Sequence, residues 1–226
     1  MESSKRDGDV RVLALDPGTA ITAWLIYDSQ PPHDEVGRPV AFGMTANDLL
    51  LEALRDRCQT GQPGPATAQE SVTNSPGFSP GFSPGFSPNF CWPPPHRFDL
   101  MVFEEMQSFG LPVGREVFMT IEWYGRFIEA FAGGDTTNVH RVTRHDVKMH
   151  LCGSVRAKDP NVRQALIDRF GATKHEAIGT KGEPGPLHGI SRDVWSALGV
   201  AVTFCETWRP EFASRLNGHS AGHPEG

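Results

Sequence analysis

Three acidic positions fall where a folded chain can bring side chains together. Asp16 closes an apolar run, residues 11–16; Glu104 or Glu105 closes another, residues 98–104; Asp193 opens a helical pattern, residues 193–207. In mixed α/β sheets, strand ends and helix starts are where polar groups converge. Three carboxylates without a Cys or His framework suit hard, oxygen-preferring divalent ions such as Mg²⁺ or Mn²⁺. Two such ions about 3.5–4 Å apart clamp the attacking and leaving oxygens of a phosphodiester. The same residues have plainer uses: an Asp after a strand forms turns, and Asp193 is a good helix N-cap.

The elements that must position these acids can be read from hydropathy. Residues 11–16 and 21–28 predict two strands around the turn Asp16-Pro17-Gly18-Thr19, with a weaker third near 39–44. Residues 46–57 predict a helix capped by Asn47 or Thr45, and 98–104 a strand. Residues 115–131 predict an amphipathic helix with Val117, Ile121, Tyr124, Ile128 and Phe131 inward, and 138–143 a further strand. Residues 159–170 predict a helix with Asp159 as N-cap, Pro160 at its first position and Gly171 as its stop. Trp24, Trp123 and Trp195 sit in apolar patterns and read as core. Three consecutive strands imply an antiparallel meander and the later alternation implies crossovers, giving a mixed sheet with helices on its faces.

Residues 59–96 are different. They hold nine of the chain's 19 prolines and a tetrapeptide repeat, SPGF-SPGF-SPGF-SPNF, over 75–90. Proline at every fourth position removes ladder donors and breaks helices, so the segment reads as a disordered insertion rather than a solenoid unit. The first ten residues and 209–226 read as disordered tails around a single domain, 11–208.

The 226 residues carry 21 Lys+Arg against 27 Asp+Glu, a net charge of −6, which excludes a uniformly basic nucleic-acid coat. A local basic strip remains. From Arg141 to Lys174, eight Lys/Arg face three Asp, a balance of +5. Such clusters can neutralise phosphates, though a solvated face has the same composition. The four cysteines (Cys58, Cys91, Cys152, Cys205) are scattered with no Cys-x-x-Cys, which excludes a zinc ribbon and suits a reducing compartment. The first ten residues carry no apolar signal region, and no run of 18 apolar residues exists, so a cytoplasmic protein with no membrane span is expected.

Leu15-Asp16-Pro17-Gly18-Thr19, followed by an apolar strand with Trp24, resembles the opening of RuvC-type Holliday junction resolvases, which have the RNase H-like fold. Val102-Phe103-Glu104 resembles their second acidic strand, and the run from Asp193 to Ala201 their final helix. The stretches 107–118, 144–159 and 163–171 are similar to phage-encoded RuvC-like proteins. The resemblance covers about 11–58 and 97–208. It implies an α/β, RNase H-like mixed five-stranded sheet flanked by helices. It also implies a crossover junction endodeoxyribonuclease of DNA recombination that uses two Mg²⁺ or Mn²⁺ ions, binds four-way junctions as a homodimer and needs no small-molecule cofactor.

Carried over by residue, the resemblance makes Asp16, Glu104 and Asp193 the catalytic and metal-holding acids. Strand alternation adds that Glu104 shares a face with Leu100 and Val102 while Glu105 points away. The family has a fourth acid one helical turn after the third, where this chain has Ser196; His188 and Asp146 are the substitutes considered. Arg115, Arg144, Lys148, Arg156 and Lys158 become the expected DNA-phosphate contacts. Two other classes compete. A catalytically weakened branched-DNA binding protein of the same fold would explain Ser196. An actin-like ATPase or sugar kinase shares the Asp-x-Gly-Thr opening but needs a second such domain and a second Gly-rich phosphate loop, which this chain lacks.

Overall fold

The computed structural model describes residues 10–29, 37–60, 98–107, 110 and 112–216. The SPGF repeat, almost all of the Pro-rich insertion, both chain ends and the Ser108-Phe109 step lie outside the described residues. The elements run β1 (Val10–Pro17), β2 (Ile21–Ser29), β3 (Arg38–Ala46), α1 (Asn47–Thr60), β4 (Leu100–Glu105), α2 (Arg115–Ala132), a short 3₁₀ turn (Thr136–Asn138), β5 (Val139–Thr143), α3 (Arg144–Cys152), α4 (Asp159–Phe170), α5 (Lys174–Ile178) and α6 (Val194–Leu216).

The five strands form one mixed sheet in the order β3-β2-β1-β4-β5. β1, β2 and β3 are the expected antiparallel meander. β4 joins β1 in parallel, and β5 joins β4 in parallel through the α2 crossover. Side-chain alternation divides the interior in two. Val12, Ala14, Leu100 and Val102 face α6 in one cluster, which α3, α4 and α5 complete. Leu13, Leu15, Met101 and Phe103 face α1 and α2 in the other. Trp24 and Trp195 are buried, as their patterns predict.

The structure departs from the sequence reading in several places; the smallest is that Lys158, not Asp159, is the N-cap of α4, which puts Asp159 in its first turn. First, α2 turns Thr120, Tyr124, Phe127 and Ala130 inward and leaves Ile121 about half exposed. Its apolar residues span more than half the helix circumference, so their period alone does not decide which edge packs. Second, Asn47 does not act as a cap. It is buried, its Oδ1 accepts from Thr22 Oγ1 at 2.7 Å, and its Nδ2 donates to the Gly18 carbonyl at 2.9 Å. Third, α3 and α5 are additional helices. α3 has a weak apolar pattern, but it opens with a Thr143–Asp146 capping box, a start signal present in the sequence. Fourth, α6 runs to Leu216, through Pro210, whereas the sequence reading ended it at residue 207. The ring's fixed φ is itself helical, so the proline costs backbone hydrogen bonding without dictating a stop.

Among the described residues no helix is long and apolar enough to cross a membrane.

Candidate active site

The site is built from three pieces of main chain held at one end of the sheet. β1 and β4 run parallel with Leu15 beside Phe103, so Asp16 and Glu104 stand one residue further along on neighbouring strands. By alternation both belong to the face covered by α6. Glu105 belongs to the other face, where it pairs with Arg141 at 4.0 Å. Asp193 immediately precedes α6, and its carbonyl accepts from the amides of Ser196 at 2.9 Å and Ala197 at 3.2 Å. The preceding residue, Arg192, holds φ at 49°, a left-handed conformation that turns the chain into the helix.

Local packing fixes these strand ends. The Gly18 amide donates to the Ile21 carbonyl at 3.0 Å, and a Cβ on Gly18 would lie 2.7 Å from that oxygen, so only glycine fits the turn after Asp16. Asn47 holds the same turn from α1. From α2, the Trp123 indole N–H donates to the Thr19 carbonyl at 3.1 Å, and the Tyr124 hydroxyl donates to the Glu104 carbonyl at 2.5 Å. The sequence reading placed Trp123 in the core and gave Tyr124 only a packing role. Their polar tips are what tie α2 to the two acid-bearing strand ends.

The other two acids act on Asp16. Burial, then Glu104, then Asp193 push the Asp16 carboxyl up to about 7, against the opposing effects of a Ser196 hydrogen bond and of Arg144. The Tyr124 phenol is also pushed well above its usual range, by burial and then by Asp16, Glu104 and Glu105. Ser196 stands in the position where the resemblance expects a fourth acid, and its hydroxyl serves Asp16. Neither substitute takes its place: Asp146 is engaged in the α3 capping box, and His188 places Nδ1 3.2 Å from the Ile178 carbonyl.

Arg144, expected as a DNA-phosphate contact, is engaged by acids of its own chain while its side chain stays 42% exposed. Its Nη1 lies 3.1 Å from each oxygen of Glu104 and 3.5 Å from Ser196 Oγ, and its Nη2 lies 2.5 Å from Asp159 Oδ1. Lys148 and Arg163 line the same cleft, with Arg163 over the Trp195 ring at 4.8 Å. Arg163 was counted in the basic strip but not singled out. Arg115, at the start of α2, and Arg156 and Lys158, between α3 and α4, are exposed and do not line this cleft.

As placed, no three His, Cys, Asp or Glu side chains among the described residues form a ready metal cage. The donor set nevertheless fits a hard divalent cation: it is all oxygen, and such a cation would offset both the burial and the neighbouring acids that raise Asp16.

Neither a protein-family model nor a curated protein sequence matches the chain. Solved structures do. The structure of Thermus thermophilus RuvC is similar with a TM-score of 0.52 at 14% identity, covering 89% of this chain and 97% of that one. The fold is that of RuvC. A second structure, T. thermophilus RuvC in complex with Holliday junction substrate, is similar with a TM-score of 0.51 at 14% identity, over 89% of this chain and 96% of that one. At this identity the likeness to RuvC speaks for the RNase H-like architecture, and the chemistry has to be argued from the site.

Proposed function

We propose that the chain is a metal-dependent, structure-selective endodeoxyribonuclease that cleaves phosphodiesters in branched DNA, as expected of a phage-type junction resolvase. The observation that carries this reading is the convergence of Asp16, Glu104 and Asp193 from two parallel strand ends and a helix start, on a RuvC-like fold. Asp16, Glu104 and Asp193 would hold Mg²⁺ or Mn²⁺, two ions in the full site. A bound divalent ion supplies a more acidic water and charge stabilisation at the phosphate. Ser196 orients the Asp16 carboxylate, Tyr124 fixes the Glu104 main chain, and Lys148 with Arg163 offers the DNA backbone cationic partners beside the acids. Arg115, Arg156 and Lys158, exposed on neighbouring elements, extend that positive surface.

Junction resolution needs two cuts, so a homodimer fits the task. The exposed Phe118 and Ile121, one turn apart on α2, are the apolar surface we assign to the partner copy.

The test is cleavage of synthetic four-way junction, flap and linear duplex with Mg²⁺ or Mn²⁺. Junction-selective, metal-dependent cleavage is expected. Asp16→Asn, Glu104→Gln and Asp193→Asn should each abolish it with junction binding largely kept, because affinity comes from cations elsewhere. Full activity in Glu104→Gln with loss in Glu105→Gln would refute the choice of glutamate. Two features favour a second reading: Arg144 already neutralises Glu104, and Ser196 stands where the resemblance expects an acid. A branched-DNA binding protein without nuclease activity would bind junctions and cut none of them with either metal.

A further inference from the structure

A phosphate contact would present open N–H groups to solvent, yet Arg144 is spent on acids. Glu104 is 15% exposed in its side chain, Arg144 42% and Asp159 72%. The guanidinium therefore lies over the more buried acid like a plug, tethered from outside by one in water. Its main chain is held as the first residue of α3 behind the Thr143–Asp146 capping box, while the side chain keeps its rotatable bonds. Lys148, one helical turn further along α3, and Arg163 on α4 share the cleft, so a DNA phosphate arriving there meets Arg144.

A divalent cation needs the same Glu104 oxygens that Nη1 occupies, and like charges repel more strongly in a partly desolvated cleft. A phosphate offers the guanidinium a bidentate partner of its own. We propose that Arg144 is a positioning residue that gates the acidic cleft: it neutralises Glu104 while the protein is free of DNA, and moves to a phosphate when a DNA backbone docks, so that the divalent cation is taken up together with DNA rather than before it. This rests on the nuclease reading and assigns the regulation of that same site.

The test is Mn²⁺ binding to the full chain, followed by the loss of free-ion paramagnetic resonance signal. It is run with and without excess four-way junction, after subtraction of Mn²⁺ held by DNA alone. A cut junction carries the same charge along its backbone, so the result does not depend on the junction staying intact. Without DNA, Arg144→Gln should bind Mn²⁺ about tenfold more tightly than the natural chain, a difference near 1.4 kcal/mol. Junction DNA should tighten the natural chain by at least about as much and the variant little. Asp159→Asn, which removes only an exposed tether, should shift affinity in the same direction by less, and it serves if Arg144→Gln does not fold. Arg144→Lys, which keeps the charge, should restore part of the DNA dependence. Equal or weaker Mn²⁺ binding in both folded variants, with Mn²⁺ still bound, overturns the gate and leaves the nuclease reading standing. No Mn²⁺ bound by any form, with or without DNA, overturns the metal reading and the gate with it.

Discussion

Asp16 is a carboxyl group placed where its charged form is disfavoured. Burial and two neighbouring acids raise it from 3.8 to about 7. The folded state therefore holds a proton that the unfolded chain has released between those values, and the metal-free protein loses stability as pH rises through that window. Asp16→Asn lacks the group. Its advantage over the natural chain should be small near pH 4 and grow to about 2–4 kcal/mol by pH 8. Thermal melts in chelator at a series of pH values check this, and a pH-independent difference would refute it. Ser196 is the second residue-scale lever. Ser196→Asp adds a hard ligand one turn from Asp193, so the metal concentration for half-maximal cleavage should fall. The metal-free melting temperature should fall as well, because the new carboxylate faces Asp16. An unchanged metal requirement with the fold intact would show that position 196 does not reach the metal.

At the scale of elements, the site depends on helices that contribute no acid to it. α1 and α2 pack on the sheet face opposite α6, yet Asn47, Trp123 and Tyr124 reach round its end to hold the β1–β2 turn and the end of β4. Asn47→Ala strips a buried Thr22 hydroxyl and the Gly18 carbonyl of their partner at once. Leaving buried polar groups unmet costs about 1–3 kcal/mol each, so a loss of roughly 2–4 kcal/mol is expected in denaturant unfolding. Cleavage should drop further than stability explains, since the turn carries Asp16. On the other face, Glu206 of α6 ties α3 and α4 together. Its carboxyl would rise on burial, but Arg169, with Nε at 2.8 Å, and His150 hold it below its usual value. That contribution is present above the ordinary carboxylate pKa and disappears as pH falls through the lowered one, so at neutral pH it offsets part of the Asp16 penalty, and in acid both fade.

At the scale of the whole molecule, the exposed face of α2 sets the expected assembly. Phe118 is 61% exposed and Ile121 48%. Apolar side chains this open, on the face of α2 turned away from the sheet, are what a two-fold interface would cover. Phe118→Asp combined with Ile121→Asp should convert a dimer to a monomer in sedimentation velocity. Metal-free melting of each subunit should stay nearly unchanged, because neither side chain packs in the core. A natural chain that sediments as a monomer at tens of micromolar would refute the assignment.

Much of this was legible in the sequence because it depends on local chemistry. Short, nearly continuous apolar runs marked the strands, Pro160 and Gly171 bounded α4 although its N-cap is Lys158 rather than the expected Asp159, and alternation along β4 separated Glu104 from Glu105. Asp16-Pro17-Gly18 read as a turn from its residue types, and the structure adds the reason that glycine is needed, the close approach of the Ile21 carbonyl. What the sequence left open depends on which surfaces meet. The broad apolar band of α2 did not say which edge faces inward; the sheet and α1 decided that. Asn47 carried the pattern of a helix cap, and only the approach of Thr22 and Gly18 turned its side chain toward them. Arg144 belonged to a basic strip, and a strip predicts phosphates. Its partners, Glu104 and Asp159, lie 40 and 15 residues away, and a charge takes whichever opposite charge the folded chain brings within reach.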